Sequence, residues 1–160
     1  MADETAVRVM YRLVERGETL ATAESLTGGL AGDLITAVPG SSGFYVGGVI
    51  AYATEVKQKL LGVSDETVEK HGVVSAECAA EMAAGARART GATWAVSTTG
   101  VAGPDPQEDK PVGLVYVGVD GPRTAVRELR LEGDRGDIRR QACEQAFVAL
   151  LETVNACPDD

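Results

Sequence analysis

Ser25 is the residue whose position most clearly suggests a catalytic role. It lies between a short apolar run, Thr19 to Ala21, and a helical pattern, Leu30 to Val38. Gly28 and Gly29 follow the serine and allow the backbone to turn sharply. The first amides of a helix have no partner within the helix and point at whatever lies in front of them. A hydroxyl beside such amides is typical of hydrolytic sites, in which serine attacks a carbonyl carbon and N–H groups hold the oxyanion.

The alternative interpretation of this segment is structural. Ser25 and Thr27 are residue types that commonly cap helix N-termini, and the spacing alone favours that role. The serine also lacks the flanking glycines of a nucleophile elbow. A catalytic serine therefore needs support from a base elsewhere in the chain.

Lys57 is the best candidate for that base. The chain has one histidine, His71, and no pattern supports a triad that includes it. A lysine accepts a proton when burial or neighbouring positive charge lowers its pKa from a reference near ~10.4. Lys57 follows Tyr52 by five residues, just past a predicted strand, so both side chains can point into one cleft with Ser25. The alternatives are that Lys57 is a solvated charge beside Lys59 and that Tyr52 belongs to the core.

A second wall of the same cleft is predicted from Ser97 to Pro104, where another strand runs into a glycine-containing turn. Small residues such as Gly100 let a ligand approach the backbone, and Thr99 precedes it with a hydroxyl. An ordinary turn is the alternative.

Three arginines gather at the start of the last predicted helix, in an otherwise acidic chain. Arginine at a helix N-terminus is well suited to bind a phosphate. Solvated arginines paired with nearby acids are the alternative. The three candidates are Arg135, Arg139 and Arg140.

Composition excludes several classes of function. The chain has 160 residues, 44% of them hydrophobic, and a net charge of −9. Such acidity argues against sequence-independent nucleic-acid binding and against docking on anionic membranes. No apolar run approaches the roughly 20 residues of a spanning helix, and the acidic N-terminus lacks a signal-peptide pattern. A cytoplasmic protein without nucleic-acid or membrane partners is therefore expected.

Cysteine usage predicts neither a disulfide framework nor a thiolate metal site, because the three cysteines are distant and form no CxxC pair. Cys78 and Cys143 are expected to be small buried apolar residues. No metal and no cofactor are predicted.

Hydrophobic periodicity predicts alternating helices and strands early in the chain and two adjacent strands late in it. One domain over residues 1–160 is expected, with the α/β fold class: a three-layer α/β/α sandwich around a mixed, partly parallel sheet. Helices are predicted at about 5–16, 27–37, 55–61, 64–71, 76–90 and 138–154, and strands at about 19–22, 46–53, 93–98, 112–119 and 125–131, with 46–53 buried.

Several segments, taken together, resemble the CinA C-terminal domain family, and in particular its stand-alone nicotinamide mononucleotide deamidases. They occur in family order across nearly the whole chain, which makes the set far more specific than any one match. The matching segments are TAESLTGG (22–29), PGSS (39–42), YATEVK (52–57), LGV (61–63), HGVVS (71–75), TGVAGP (99–104), KPVGLVY (110–116) and GDRGDIRRQA (133–142).

The resemblance implies hydrolysis of the carboxamide of nicotinamide mononucleotide to nicotinate mononucleotide and ammonia. It implies Ser25 as nucleophile, Lys57 as general base and Tyr52 beside it, with Thr99 lining the opposite wall. It also implies a small-molecule nucleotide substrate, no metal or cofactor, and a homodimer or higher homo-oligomer. The expected substrate-binding residues are Thr27, Gly28, Thr99, Gly100, Arg135, Arg139 and Arg140, with amides near Thr27 and Gly28 as oxyanion donors.

Three positions depart from the family pattern. Leu26 stands where cysteine is usual, and Thr54 stands where asparagine is common. Residues 105–109 stand where the family usually has a glycine pair and a slightly longer loop. The loop change bears on substrate preference more than on reaction type, because proline is stiffer than glycine. Two alternatives stay open: a non-catalytic nucleotide-binding or interaction module linked to competence or DNA damage, and a serine–lysine amidase for another small amide.

Overall fold

The framework of the protein is a five-stranded mixed sheet in the order β2-β1-β3-β4-β5, seen in a computed structural model that describes residues 2–159. β1 pairs in parallel with β2 and β3, whereas β4 pairs antiparallel with β3 and β5. The strands are β1 (Leu20–Glu24), β2 (Tyr45–Ile50), β3 (Trp94–Gly100), β4 (Leu114–Asp120) and β5 (Ala125–Arg130).

Helices cover both faces of the sheet, which confirms the predicted three-layer α/β/α sandwich. One core contains Leu13, Ile35 and Phe147, and the other contains Leu61 and Met82. The first face carries α1 (Glu4–Arg16), α2 (Leu30–Thr36) and α6 (Arg135–Ala156), and the second carries α3 (Thr54–Leu61), α4 (Asp65–His71) and α5 (Ala76–Thr90). No helix within residues 2–159 is long and apolar enough to cross a bilayer.

Local signals place the helix ends largely as predicted. The hydroxyl of Ser75 accepts a hydrogen bond from the Cys78 amide at the start of α5, and Gly91 ends the helix in the left-handed conformation. Ser64 caps α4 in the same way. Cys78 and Cys143 are fully buried, as predicted.

Two differences from the prediction bear on the site. β2 was expected to be buried, but it lies at the sheet edge with alternating exposure, and Val46 and Ile50 are about half exposed. α2 begins at Leu30 rather than at Thr27, since Ser25 to Gly29 form a turn between β1 and the helix. Apolar composition alone does not distinguish an edge strand from a central one.

The parallel strands bring the predicted site residues to one edge of the sheet. Ser25 follows β1, and Thr99 and Gly100 end the neighbouring β3. Tyr52 follows β2, which flanks β1 on the other side. The carboxyl ends of parallel strands are where open α/β sheets usually bind ligands.

Gly85 allows α5 to approach α3 closely. A Cβ at this position would lie 1.9 Å from the Leu61 carbonyl oxygen, which is backbone and has little freedom to move. The contact fixes the C-terminal end of α3, the helix that carries Lys57.

We expect Gly85→Ala to destabilise the protein by about 1–3 kcal/mol, because overpacking outweighs the gain in helix propensity of about 1 kcal/mol. Urea denaturation measures the free energy of unfolding. As a control, Ala88→Gly on the exposed side of the same helix should cost about 1 kcal/mol through propensity alone. A Gly85→Ala variant more stable than wild type would contradict the packing argument.

Candidate active site

A cavity of about 260 Å³ opens at the carboxyl edge of the parallel strands. It brings together six of the residues predicted for the site, from four separate stretches of chain. Polar groups line much of its wall, as expected of a site that orients a small ligand. The lining residues are Ser25, Leu26, Tyr52, Ala53, Thr54, Lys57, Val73, Val74, Thr99, Gly100, Ala102, Gly103, Gln107 and Arg135.

Ser25 is held by its backbone and leaves its hydroxyl unengaged. Its amide donates to the Thr98 carbonyl at 3.1 Å, which ties the turn to the end of β3. The residue is 7% exposed, and its Oγ has no hydrogen-bond partner among residues 2–159. A hydroxyl placed at a cavity wall without a structural partner is available to react.

The Glu24 carboxylate occupies the amides of the α2 N-terminus. It accepts hydrogen bonds from Gly29 at 3.2 Å, from Ala31 at 2.8 Å and from Gly32 at 3.1 Å. Glu24 itself is only 2% exposed. A carboxylate at this position satisfies amides that the helix cannot satisfy and complements the helix dipole. The first amides of α2 are therefore not open to a ligand.

The amides that remain open belong to the turn itself. Gly28 N–H donates to the Ser25 carbonyl at 3.1 Å, whereas the N–H groups of Leu26 and Thr27 have no acceptor within residues 2–159. Leu26 lines the cavity directly beside Ser25. The candidate oxyanion donor is therefore the Leu26 N–H, because the buried Thr27 lies outside the cavity lining. The sequence suggested donors near Thr27 and Gly28, one and two positions later.

Lys57 is a buried lysine without a counter-ion. It is 2% exposed, and its Nζ donates one hydrogen bond, to the Tyr52 carbonyl at 2.7 Å. No carboxylate within residues 2–159 lies in ion-pair distance of it. Burial lowers its pKa, and the opposing influence of the Cys78 thiol and the Glu108 carboxylate is smaller. Lys57 thus meets the requirement for a lysine base, and it is not the solvated surface charge of the alternative interpretation.

Arg135 and Tyr52 form the mouth of the cavity. Arg135 Nη2 donates to the Tyr52 hydroxyl at 3.2 Å, and its Nη1 donates to the Gly103 carbonyl. The Tyr52 residue is 59% exposed, so it does not belong to the core. A guanidinium at the entrance offers a binding group for an anionic part of a ligand.

The 105–109 loop builds part of the opposite wall. The Glu108 carboxylate accepts hydrogen bonds from the amides of Val73 at 3.1 Å and Val74 at 3.0 Å. The Val73 carbonyl in turn accepts from Thr99 Oγ1 at 2.7 Å. Burial raises the pKa of Glu108, but the two amide hydrogen bonds and the nearby Lys110 outweigh burial and hold it below its ordinary value. These hydrogen bonds therefore hold the altered loop against the wall of the cavity.

Four predicted binding residues lie outside the cavity lining. Thr27 is fully buried, and its hydroxyl pairs with Thr98 Oγ1 at 2.8 Å. Gly28 lies above Arg139, which binds two carbonyls of the turn. Arg140 is exposed, and its side chain has no hydrogen bond within residues 2–159.

Sequence reasoning missed three residues of the site. Glu24 precedes the serine directly, and an acid before a helix start is a signal that could have identified a capping carboxylate. Gln107 lines the cavity and Glu108 anchors its wall. Their roles depend on where a loop without periodicity folds back, and no local pattern indicates that.

The comparisons with known proteins agree with this architecture. The CinA C-terminal domain family matches residues 2–154. A CinA-like protein of Synechococcus sp. is 57% identical over 156 residues, which cover 95% of this chain and 37% of the relative. A CinA-like protein of Frankia casuarinae is 52% identical over 152 residues, covering 94% of this chain and 35% of the relative.

Solved structures show the same fold. A CinA superfamily protein from Klebsiella pneumoniae superposes with a TM-score of 0.93 at 34% identity, covering 96% of this chain and 98% of the other. A competence/damage inducible protein from Agrobacterium tumefaciens gives a TM-score of 0.87 at 32% identity, with coverage of 97% and 98%. The chain belongs to the CinA C-terminal domain family, and it spans little more than a third of the two curated relatives described above.

The burial of Lys57 predicts that the difference in free energy of unfolding between wild type and Lys57→Met depends on pH. The pKa of Lys57 is lowered in the folded protein, so between that pKa and the ordinary lysine value of 10.5 the unfolded chain binds more protons. Wild-type stability should therefore rise with pH in this window, relative to Lys57→Met, by at most about 1.4 kcal/mol per pH unit.

Urea denaturation of both proteins from pH 7 to pH 10.5 measures this difference. Lys59→Met removes an exposed lysine from the same helix and should follow wild type at every pH. A pH-independent difference between Lys57→Met and wild type would show that the lysine titrates normally.

Proposed function

We propose that this protein hydrolyses a small-molecule carboxamide, and that the substrate is nicotinamide mononucleotide, which yields nicotinate mononucleotide and ammonia. The observation that carries the proposal is that Ser25 and Lys57 line one cavity. Within residues 2–159 the Ser25 hydroxyl has no hydrogen-bond partner, and the buried Lys57 has no counter-ion. A serine needs a base to become a nucleophile, and a lysine becomes a base when burial disfavours its charge.

The first half of the reaction forms an acyl-enzyme. Neutral Lys57 takes the Ser25 Oγ proton while Oγ bonds to the amide carbon and the carbonyl oxygen becomes an oxyanion. The Leu26 amide stabilises that oxyanion, an effect worth about 3–4 kcal/mol per donor in comparable sites. When the intermediate collapses, the C–N bond breaks, and Lys57 returns its proton to the nitrogen, which leaves as ammonia.

The second half restores the enzyme. Water attacks the ester carbon while Lys57 takes one of its protons, and the Leu26 amide again holds the oxyanion. The bond between the carbon and Ser25 Oγ then breaks, and Oγ recovers its proton from Lys57. The sum is amide plus water to carboxylic acid plus ammonia, with no oxidant or reductant consumed.

The shape of the cavity supports a small substrate with a charged end. About 260 Å³ suits a single small aromatic amide better than a peptide or a polynucleotide. Ser25 and Lys57, the reacting residues, line the cavity, and Arg135 lies at its mouth. In this arrangement the carboxamide enters first and the phosphate stays at the guanidinium.

Ser25→Ala and Lys57→Met are each expected to reduce ammonia release from nicotinamide mononucleotide by at least about 10³-fold, because each removes a group that makes or breaks bonds. Circular dichroism should show both variants folded. Lys59→Met, which removes a neighbouring exposed lysine, should keep wild-type turnover. Near-normal activity of Lys57→Met would eliminate the assigned base.

Arg135→Met is expected to raise KM for nicotinamide mononucleotide about 10-fold or more, since a charge-assisted contact to phosphate is lost. KM for nicotinamide riboside, which lacks the phosphate, should change little. Arg123→Met removes an equal charge from the exposed turn between β4 and β5 and serves as the control. Equal effects of Arg135→Met on both substrates would contradict the phosphate contact.

A different small amide is the second candidate substrate, and the 105–109 loop favours it. This loop places Gln107 at the cavity wall and departs from the family pattern in the same segment. Comparing nicotinamide mononucleotide, nicotinamide riboside and nicotinamide in the ammonia assay separates the candidates. A protein that releases ammonia from none of them, nor from a wider amide panel, would instead be a binding or interaction module.

A further inference from the structure

Arg139 binds the turn that carries Ser25 and not the cavity. Its Nε donates to the Leu26 carbonyl at 3.0 Å, and its Nη2 donates to the Thr27 carbonyl at 2.9 Å. Two donors of one planar guanidinium thus hold two consecutive peptide units, a geometry that a rigid fork can provide and a single ammonium cannot. The arginine reaches this turn from α6, more than 110 residues along the chain.

Arg139 differs in this respect from Arg135, one helical turn earlier. Arg135 lines the cavity mouth and contacts the Tyr52 hydroxyl, whereas Arg139 does not line the cavity and directs two of its nitrogens at backbone. Gly28 covers it closely, since a Cβ there would lie 3.5 Å from Nη2. The two arginines therefore have separate tasks.

The clamp determines where the turn amides point. In a trans peptide the N–H and C=O groups point in opposite directions. Arg139 holds the Thr27 carbonyl, and the Gly28 N–H of the same peptide donates to the Ser25 carbonyl at 3.1 Å. The Leu26 N–H, which shares a peptide with that Ser25 carbonyl, therefore faces the opposite way; it has no acceptor in the described part of the chain, and Leu26 lines the cavity. A cation on the carbonyl side also polarises the peptide and strengthens its N–H as a donor.

The turn needs such a clamp because its backbone is permissive. Gly28 and Gly29 both have positive φ, at 58° and 108°, and glycine adopts other conformations at little cost. Glu24 fixes the amides on the helix side of the turn, but within residues 2–159 it accepts no hydrogen bond from Leu26 or Thr27. Arg139 binds the carbonyls of those two residues, and Thr27 is held in addition by Thr98 and by the Leu30 amide.

We propose that Arg139 is a positioning residue for the reaction, holding the carbonyls of the turn so that the free Leu26 amide meets the oxyanion formed on attack by Ser25. This rests on the proposed function and replaces the phosphate contact that the sequence suggested for Arg139. Oxyanion donors act only in the transition state, so their loss lowers kcat and leaves KM unchanged.

Arg139→Lys is the principal test, with ammonia release as the assay. We expect kcat to fall about 10²-fold, as when reacting groups are slightly misplaced, and to fall equally for nicotinamide mononucleotide and nicotinamide riboside. KM should stay at the wild-type value for both. The pH dependence of kcat should not shift, because Arg139 is not among the groups that set the Lys57 pKa.

Arg87→Lys is the matched control. Arg87 also donates through Nε to a backbone carbonyl, that of Thr93 at 3.0 Å, but it lies outside the cavity lining. Its replacement should leave kcat unchanged. An unchanged kcat in Arg139→Lys, or a KM increase confined to the phosphorylated substrate, would overturn the proposal. So would a kcat loss no larger than the loss of folded protein measured by circular dichroism.

Pyridine-3-boronic acid tests the same idea without depending on the substrate. Its boron forms a bond to Ser25 Oγ, the Oγ proton passes to Lys57, and the resulting tetrahedral boronate imitates the oxyanion intermediate. We expect calorimetry to show about 10-fold weaker binding or more to Arg139→Lys, none to Ser25→Ala and wild-type binding to Arg87→Lys.

The two assays separate the possible failures. Wild type that binds the boronate but releases no ammonia from nicotinamide mononucleotide would refute the proposed substrate, while the boronate affinities still decide the role of Arg139. Equal boronate affinity of wild type and Arg139→Lys would refute the positioning role. Wild type that neither binds the boronate nor releases ammonia from any amide would refute both.

Discussion

The Glu24 carboxylate is the interaction on which the geometry of the candidate site depends. It is buried at the end of β1 and accepts hydrogen bonds from the amides of Gly29, Ala31 and Gly32, so it joins strand and helix on either side of the Ser25 turn. A buried carboxylate is costly unless it is fully hydrogen-bonded. That cost leaves the turn few arrangements that keep the carboxylate satisfied.

The turn is held on its other side by Arg139, whose guanidinium binds the carbonyls of Leu26 and Thr27. The Glu24 carboxylate therefore fixes amides of the turn and the Arg139 guanidinium fixes its carbonyls. Without them, the two glycines would leave this short segment free to adopt other conformations. Between the two clamps, the Ser25 hydroxyl and the amides of Leu26 and Thr27 make no hydrogen bond to any group in residues 2–159. Preorganised dipoles of this kind require no rearrangement during a reaction.

Lys57 shows how packing sets the chemistry of a side chain. The close approach of α5 to the end of α3 at Gly85 fixes the helix in which the lysine is buried. Among residues 2–159, Lys57 Nζ donates one hydrogen bond, to the Tyr52 carbonyl, and has no carboxylate partner, which leaves its charged form poorly stabilised. The resulting fall in pKa prepares the lysine to accept a proton, at the expense of some stability.

The sequence by itself determined the element types, the helix caps at Ser64, Ser75 and Gly91, and the position of Ser25 between a strand and a helix. These features depend on residues only a few positions away in the sequence, so hydrophobic periodicity and capping residues predict them. Only the tertiary structure decided that β2 lies at an edge, that Lys57 is buried and that Arg139 faces the turn rather than the cavity. The burial of a side chain depends on how the elements pack, and so do hydrogen bonds between residues that are 30 to more than 110 positions apart in the sequence. No local sequence pattern encodes either.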